Sequence, residues 1–176
     1  AANEMKERIA ALVGEEKARM LNMGTFHSVF SRILRIEATS IDYTPQFTIY
    51  DESDSRSLLK TIVKEMGLDD KSYKSAEGHK RISLAKNRIE QPADYEQSEA
   101  YRSYDSASGM EKMPEIYARY QARLHQANAM DFDDILLYTY ILLYKNVELQ
   151  RKYGERFKFV LVDEYQDTNA VQQKIV

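Results

Sequence analysis

The sequence predicts a helix-rich α/β fold in which a short parallel sheet is split by a mostly α-helical insertion. Apolar residues recur at helical spacing through most of the chain, and residues 37–127 are nearly all helix-like. Residues 157–162, Phe-Lys-Phe-Val-Leu-Val, form a continuous apolar run of the kind that parallel sheets bury. Strand-then-turn features lie in the flanks, residues 1–36 and 128–176, so we expect both flanks to build one domain around the insertion.

In the first flank, residues 1–13 predict a helix and residues 19–24 a short strand. Gly24 begins a turn into a second helix, for which Thr25 or Ser28 is the candidate cap. The first helix has no start signal and the last one has no stop signal, so we expect the chain to be part of a longer protein.

In the insertion, a connector and a short extended piece at residues 46–50 precede a turn with several N-cap candidates. Helices are predicted at residues 58–66, 76–90, 94–104 and 111–126.

In the second flank, Asp131 is the predicted cap of an apolar helix over residues 135–144. A metal site made by Asp131, Asp133 and Asp134 is the alternative, and capping is favoured. A short helix, the strand ending at Asp163 and a final helix from residue 170 follow.

Composition narrows the function. The chain has 176 residues, a net charge of −3 and no cysteine, which excludes disulfides and thiolate metal sites and suits a reducing, cytoplasmic compartment. No apolar run approaches the roughly 18 residues of a membrane span. The acidic balance argues mildly against nucleic-acid binding. Residues 71–88, however, carry six lysines and arginines against Glu77 alone, which suits DNA contact or a solvated helix face.

The acidic stretch after residues 157–162 is the candidate catalytic site. Ligands of open α/β sheets bind beyond the carboxyl ends of strands, and carboxylates there suit a hard cation. Asp163 is therefore the candidate Mg²⁺ anchor and Glu164 the candidate general base, as in the Walker B arrangement of an ATPase. The alternative is a solvated strand-to-loop junction; the apolar run, Gln166 and Asp167 favour the catalytic interpretation.

A phosphate cradle is missing from the sequence. A P-loop needs Gly-x-x-x-x-Gly-Lys-Ser/Thr, and none of the six glycines is followed by lysine. We therefore expect this chain alone to bind nucleotide weakly and not to hydrolyse it.

Residues 162–169, Val-Asp-Glu-Tyr-Gln-Asp-Thr-Asn, resemble motif II of the UvrD/PcrA/Rep group of superfamily 1 DNA helicases. Further segments resemble this family in the family's order: residues 1–9 (end of motif Ia), 24–28 with 32–35 (motif Ib) and 130–136 (return to the motor domain), and more weakly 47–51 and 83–87. The likeness covers essentially the whole chain.

The resemblance implies a partial RecA-like (P-loop NTPase) motor domain with an inserted subdomain 1B. It implies an enzyme that uses ATP and Mg²⁺, moves 3′ to 5′ on single-stranded DNA and unwinds duplexes in DNA repair or replication restart. Its partners would be single-stranded DNA, a duplex junction and the remaining helicase domains, with no membrane.

For the site, the resemblance implies that Asp163 contacts Mg²⁺ through water, Glu164 activates the attacking water and Gln166 couples nucleotide to DNA. Thr25 and His27 would face single-stranded DNA, although His27 suits a core or capping role equally well.

The basic helix would approach the duplex through Lys80, Arg81 and Lys86. A module that only binds DNA, or part of a RecB- or AddA-like helicase–nuclease subunit, are the alternatives.

Overall fold

The structure, a computed structural model, describes residues 2–176. Eleven α-helices account for most of these residues: α1 (Ala2–Val13), α2 (Glu15–Met20), α3 (Phe26–Ile36), α4 (Glu52–Glu65), α5 (Ser75–Asn87), α6 (Pro92–Gln97), α7 (Glu99–Ala107), α8 (Met113–Gln126), α9 (Phe132–Lys145), α10 (Val147–Arg156) and α11 (Ala170–Ile175). Two strands, β1 (Thr48–Tyr50) and β2 (Ala129–Asp131), pair in parallel with Thr48 opposite Ala129.

Side-chain caps explain where several helices begin. A cap satisfies amide donors that a helix start leaves unpaired. The residues whose side chains accept such a bond are Thr25 for α3, Asp51 for α4, Ser98 for α7, Asp131 for α9, Asn146 for α10 and Asn169 for α11.

The parallel pair brings together two distant points of the chain. Thr44 and Asn128, 84 residues apart, are joined by two hydrogen bonds, from the Thr44 amide at 3.0 Å and to its hydroxyl at 2.7 Å. Asn128 adopts a left-handed conformation, with φ 47°, which asparagine tolerates better than most residues. The segment that contains α4 to α8 therefore begins and ends at neighbouring points of the structure.

Two apolar clusters form the core. The first lies among α4, α5 and α8 and centres on buried side chains such as Ile82, Tyr117 and Leu124. The second packs α3 against α9, α10 and α11. Residues 38–47, which the predicted boundary assigns to the insertion, contribute Phe47 to this second cluster.

The predicted fold class is confirmed, because the chain is helix-rich with a small parallel sheet. The strands differ from those predicted. Residues 19–24 overlap the end of α2 instead of forming a strand, and residues 157–162 form no strand. Phe159 and Leu161 are 92% and 96% exposed. In the described residues the sheet consists of β1 and β2, and residues 157–162 are not paired with either strand, whereas a strand requires a hydrogen-bonded neighbour.

Among the described residues, no helix has both the length and the apolar character needed to cross a bilayer.

Candidate functional site

The predicted catalytic residues lie in an exposed turn, residues 163–168, which we call the acidic turn. Asp163 Oδ1 accepts a hydrogen bond from the Glu164 amide at 3.1 Å. Glu164 is left-handed, with φ 50°, a conformation that carries a steric cost for a residue with a side chain. Gln166 donates to the Glu164 carboxylate through its Nε2. The predicted metal anchor Asp163 and the two predicted catalytic residues, Glu164 and Gln166, are thus linked by two hydrogen bonds.

The acidic turn is fastened to α11 behind it. Thr168 Oγ1 donates to the Tyr165 carbonyl at 2.6 Å. Gln173 Nε2 donates to Thr168 O at 3.2 Å and to Thr168 Oγ1 at 3.1 Å. Asn169 and Gln172 form a reciprocal capping box at the start of α11. The turn therefore has a fixed base, whereas the carboxylates at its tip are exposed.

The donor set of the acidic turn fits one side of a Mg²⁺–nucleotide. Mg²⁺ prefers oxygen ligands and keeps several waters, so one or two carboxylates beside phosphate oxygens suffice. Asp163 and Glu164 are neighbouring, exposed carboxylates. Among residues 2–176, no group of three or more acidic or histidine side chains is arranged to hold a metal by itself. A metal here would need ligands from the nucleotide and from water.

The predicted DNA-facing residues of the first flank lie at the start of α3. Thr25 is exposed, and its hydroxyl accepts from the Ser28 amide at 3.3 Å. His27 is half-buried, and its ring meets the edge of Phe132 with centroids 5.5 Å apart. Thr25 therefore acts as the cap, and His27 contacts the first residue of α9.

The basic helix differs from its predicted form. Lys80 is exposed, but Arg81 and Lys86 are only 5% and 1% exposed. Arg81 pairs with Glu77 at 3.0 Å and with buried Asp105. For Arg81 and Lys86 the sequence predicts DNA contact, with a solvated helix face as the alternative, but the charged ends of both lie inside the protein, where acidic partners neutralise them.

Comparison with known proteins bears on this geometry. The family model of the UvrD/REP helicase N-terminal domain matches residues 1–176. The chain belongs to the UvrD/REP helicase family. The resemblance inferred from the motifs is thereby confirmed.

Individual relatives agree with this assignment. The chain is 39% identical over 176 residues to the ATP-dependent DNA helicase PcrA of Leuconostoc citreum, a match covering 100% of this chain and 23% of the relative. It is 42% identical over 177 residues to the ATP-dependent DNA helicase UvrD1 of Mycobacterium leprae, covering 100% of this chain and 22% of the relative. The chain thus spans less than a quarter of the length of these curated relatives.

This UvrD/REP chain also has a buried charge cluster that sequence reasoning missed, formed by Lys86, Asp131 and Asp134. Lys86 Nζ lies 2.7 Å from Asp131 Oδ2 and 2.8 Å from Asp134 Oδ1. Tyr120 donates to Asp131 at 2.8 Å, and Gln121 donates to Asp134 at 3.0 Å. The predicted capping role of Asp131 is confirmed, since Asp131 and Asp134 form a reciprocal capping box.

The ionisation of the cluster follows from one cation facing two carboxylates. Burial and the charge of Asp131 raise the pKa of Asp134 to about 7. Burial opposes the ionisation of Asp131, but Lys86 lowers its pKa overall. Burial likewise opposes the charge of Lys86, but the two aspartates hold its pKa well above the ordinary value. Near neutral pH the Asp134 carboxyl group of the folded protein is therefore partly protonated.

A local signal did indicate that Lys86 is buried. It lies four residues after Ile82 and next to Ala85, on the apolar face of α5. A lysine on such a face needs an acidic partner, and Asp131, the cap of α9, and Asp134, in its first turn, supply it.

Proposed function

We propose that this chain is a part of the first motor domain, with its inserted subdomain, of a cytoplasmic ATP-dependent DNA helicase. The complete protein would move on single-stranded DNA and unwind duplexes in DNA repair or replication restart. The observation that carries the proposal is the family match over the whole chain, together with relatives that are themselves ATP-dependent DNA helicases. The segments proposed are motor residues 1–36 and 128–176 around an inserted subdomain, 37–127.

In this proposal the acidic turn forms the magnesium and water side of the ATPase site. Asp163 would hold Mg²⁺ through water, and Glu164 would orient and deprotonate the attacking water. Gln166, which already donates to Glu164, would adjust that carboxylate when DNA is bound. Exposure of all three side chains supports access by nucleotide.

DNA would meet the chain at the start of α3 and at the exposed face of α5, the basic helix. Thr25, His27 and Lys80 are the side chains proposed to touch DNA. Arg81 and Lys86 are proposed instead to support α5, because each is neutralised inside the protein.

The chain by itself should lack ATP turnover, because it has no Gly-Lys phosphate cradle. Steady-state assays with Mg²⁺ and single-stranded DNA should give no turnover above buffer. Turnover by the purified chain would refute this part of the proposal.

The helicase assignment is tested on the product of the complete reading frame. We expect DNA-stimulated ATP hydrolysis and unwinding of a duplex with a 3′ single-stranded tail. Glu164→Gln should lower ATP turnover by a factor of about 10²–10⁴, the usual contribution of a general base. Glu155→Gln, which changes an exposed acid of α10, is the matched control. Wild-type turnover in Glu164→Gln, or a complete protein that ignores DNA, would contradict the proposal.

A specific surface favours DNA binding by the inserted subdomain alone as a second candidate function. Two adjoining cavities of about 440 and 340 Å³ lie between α4 and the start of α5 and share Arg56, Lys60 and Ser75. Lys74 and Asp70 line the smaller one, and Glu52, which pairs with Arg56 at 3.3 Å, lines the larger one. We call Arg56, Lys60, Lys74 and Ser75 the basic groove. Cations beside unpaired amides at a helix start suit phosphates of any sequence.

Fluorescence anisotropy with a duplex–single-strand junction tests this second candidate. Lys60→Glu with Lys74→Glu should weaken binding and reduce its salt dependence, because fewer counterions are released. Lys6→Glu with Lys17→Glu, at exposed positions of α1 and α2, is the control for the same change of net charge. Affinity that is insensitive to salt, or equal loss in the control, would argue against the groove.

A further inference from the structure

A hydrogen-bond chain joins the basic helix to the segment that follows the acidic turn. Asn87 is the last residue of α5. Its Nδ2 donates to Asp133 Oδ1 of α9 at 2.8 Å, and its Oδ1 accepts from Asn169 Nδ2 at 2.5 Å. These partners lie 46 and 82 residues further along the chain. Asn87 is thus the meeting point of three segments.

The oxygen and the nitrogen of the Asn169 side-chain amide bind different parts of the protein. Its Oδ1 accepts from the Gln172 amide at 2.9 Å and caps α11, while its Nδ2 reaches Asn87. The cap alone would hold only the start of α11. The bond to Asn87 ties this start to α5, in addition to the packing of Val171 in the second apolar cluster.

The link continues into the acidic turn through the residue before the cap. Thr168 is held by Gln173 of α11 and itself closes the 3₁₀ turn over Tyr165–Asp167 through the Tyr165 carbonyl. A shift of α11 relative to α5 would therefore move the backbone that carries Glu164.

The Asn87 end of the link is firmly held. Asn87 also donates to the Ser83 carbonyl at 2.8 Å, and the neighbouring Lys86 belongs to the buried charge cluster. Ile89, two residues on, closes the helix in a left-handed conformation, φ 66°, which is unfavourable for a β-branched residue. Such a conformation persists only where surrounding contacts determine the backbone.

We propose that Asn87 is a positioning residue that couples the end of α5 to the acidic turn through Asn169. Displacement of α5, for instance when DNA engages the exposed face bearing Lys80, would thereby change the placement of Asp163 and Glu164. The importance of this coupling for hydrolysis rests on the proposed function, whereas the coupling itself does not.

Amide hydrogen exchange of this chain tests the coupling. Asn169→Asp retains a good N-cap but loses the donor to Asn87. Exchange at residues 164–173 should rise about fivefold, the effect of losing one hydrogen bond, with α5 unchanged. Asn87→Ala should give the same increase. Asn146→Asp makes the same change at the cap of α10, which has no such link, and should leave residues 164–173 unaltered.

A swapped pair distinguishes positioning from general support. In Asn87→Asp alone, the new carboxylate faces Asp133 and should loosen the junction. Adding Asp133→Asn removes this repulsion and restores a donor–acceptor pair with α9, while the carboxylate at position 87 still accepts from Asn169, so protection at residues 164–173 should return. A swap that fails to restore protection, or an Asn169→Asp chain that exchanges like wild type, would overturn the proposal.

The two proposals fail in different assays. In the complete protein, Asn169→Asp should lower DNA-stimulated ATP turnover more than basal turnover. If exchange changes as expected but the complete protein hydrolyses no ATP, the coupling stands and the proposed function falls. If DNA stimulation is unchanged in Asn169→Asp while exchange rises, the coupling has no bearing on hydrolysis and its proposed consequence is refuted.

Discussion

Asp131 and Asp134 are buried around one lysine, whereas Asp163 and Glu164 are exposed and have no salt bridge within residues 2–176. In sequence the two regions are alike, since each has closely spaced acids after a short apolar stretch and before a helix or turn. Their surroundings separate them. Buried carboxylates must be paired, and so they hold structure together; exposed ones remain free to bind a cation.

The surroundings of an acidic pair, more than its residue types, therefore decide whether it stabilises the fold or remains available to a cation. The partner of the buried pair comes from α5, 45 residues away from Asp131. The acidic turn instead is held mainly through its backbone and its base on α11. Substitutions should therefore affect stability in the first region and chemistry in the second.

The largest effect is expected from Lys86→Met. It keeps most of the side-chain volume but leaves Asp131 and Asp134 facing each other without a cation. Breaking a buried pair on one side costs about 3–5 kcal/mol of unfolding free energy, which urea denaturation would measure. Lys80→Met makes the same change at an exposed position of α5 and should alter the free energy of unfolding by less than about 0.5 kcal/mol. Equal effects of the two substitutions would show that burial is not what distinguishes them.

The next effect is a pH dependence that belongs to the buried pair. The pKa of Asp134 is raised from 3.8 to about 7. Between these values the folded state keeps a proton that the unfolded state releases. Protonated Asp134 therefore contributes fully to the free energy of unfolding at low pH. This contribution declines by roughly 2–4 kcal/mol as the pH rises from about 4 to 7.

Asp134→Asn isolates this contribution, because asparagine does not ionise. The difference in unfolding free energy between wild type and Asp134→Asn should change steadily across that pH range, in favour of the variant. A constant difference across this pH range would mean that folding does not raise the pKa of Asp134.

A smaller effect is expected in the acidic turn. Asp163→Asn with Glu164→Gln removes both exposed carboxylates but breaks no salt bridge in the described residues. Thermal unfolding of this chain should shift by an amount equivalent to less than about 0.5 kcal/mol. In the complete protein the same double substitution should abolish ATP turnover. A strongly destabilised chain would instead place these acids with the structural pair.

The smallest effect is expected just before the turn. Leu161→Ser replaces a side chain that is 96% exposed and should leave the stability of this chain unchanged in urea denaturation. Leu142→Ser, at a site 2% exposed on α9, is the contrasting change and should cost several kcal/mol. Destabilisation by Leu161→Ser would show that residues 157–162 are packed in solution.

Local patterns predicted those parts of the molecule that depend on neighbouring residues. The cap at Asp131 and most of the helices follow from spacing and capping chemistry, as does the extended piece at β1. The strand β2 was missed because three residues, Ala-Met-Asp, are too few for a periodic signal. Residues 157–162 were predicted as a strand from apolarity alone, yet a strand also requires a partner to pair with.

The site was predictable to the extent that its chemistry is local. Asp163, Glu164 and Gln166 come together because they are adjacent in sequence, and two of them are hydrogen-bonded. The position of Lys86 on the apolar face of α5 is a local signal, but its partner Asp131 and the link from Asn87 to Asn169 lie 45 and 82 residues away, and no local pattern encodes them.

The side-by-side arrangement of Thr44 and Asn128 also bears on the order of folding. Bringing two points 84 residues apart into contact costs loop-closure entropy, and the hydrogen bonds of a three-residue strand pair offset only a small part of that cost. Condensation of α4, α5 and α8 shortens that loop before the strands meet. We therefore expect the helices to form early and β1 and β2 to pair late. The pairing of these strands would then be the slow step of folding.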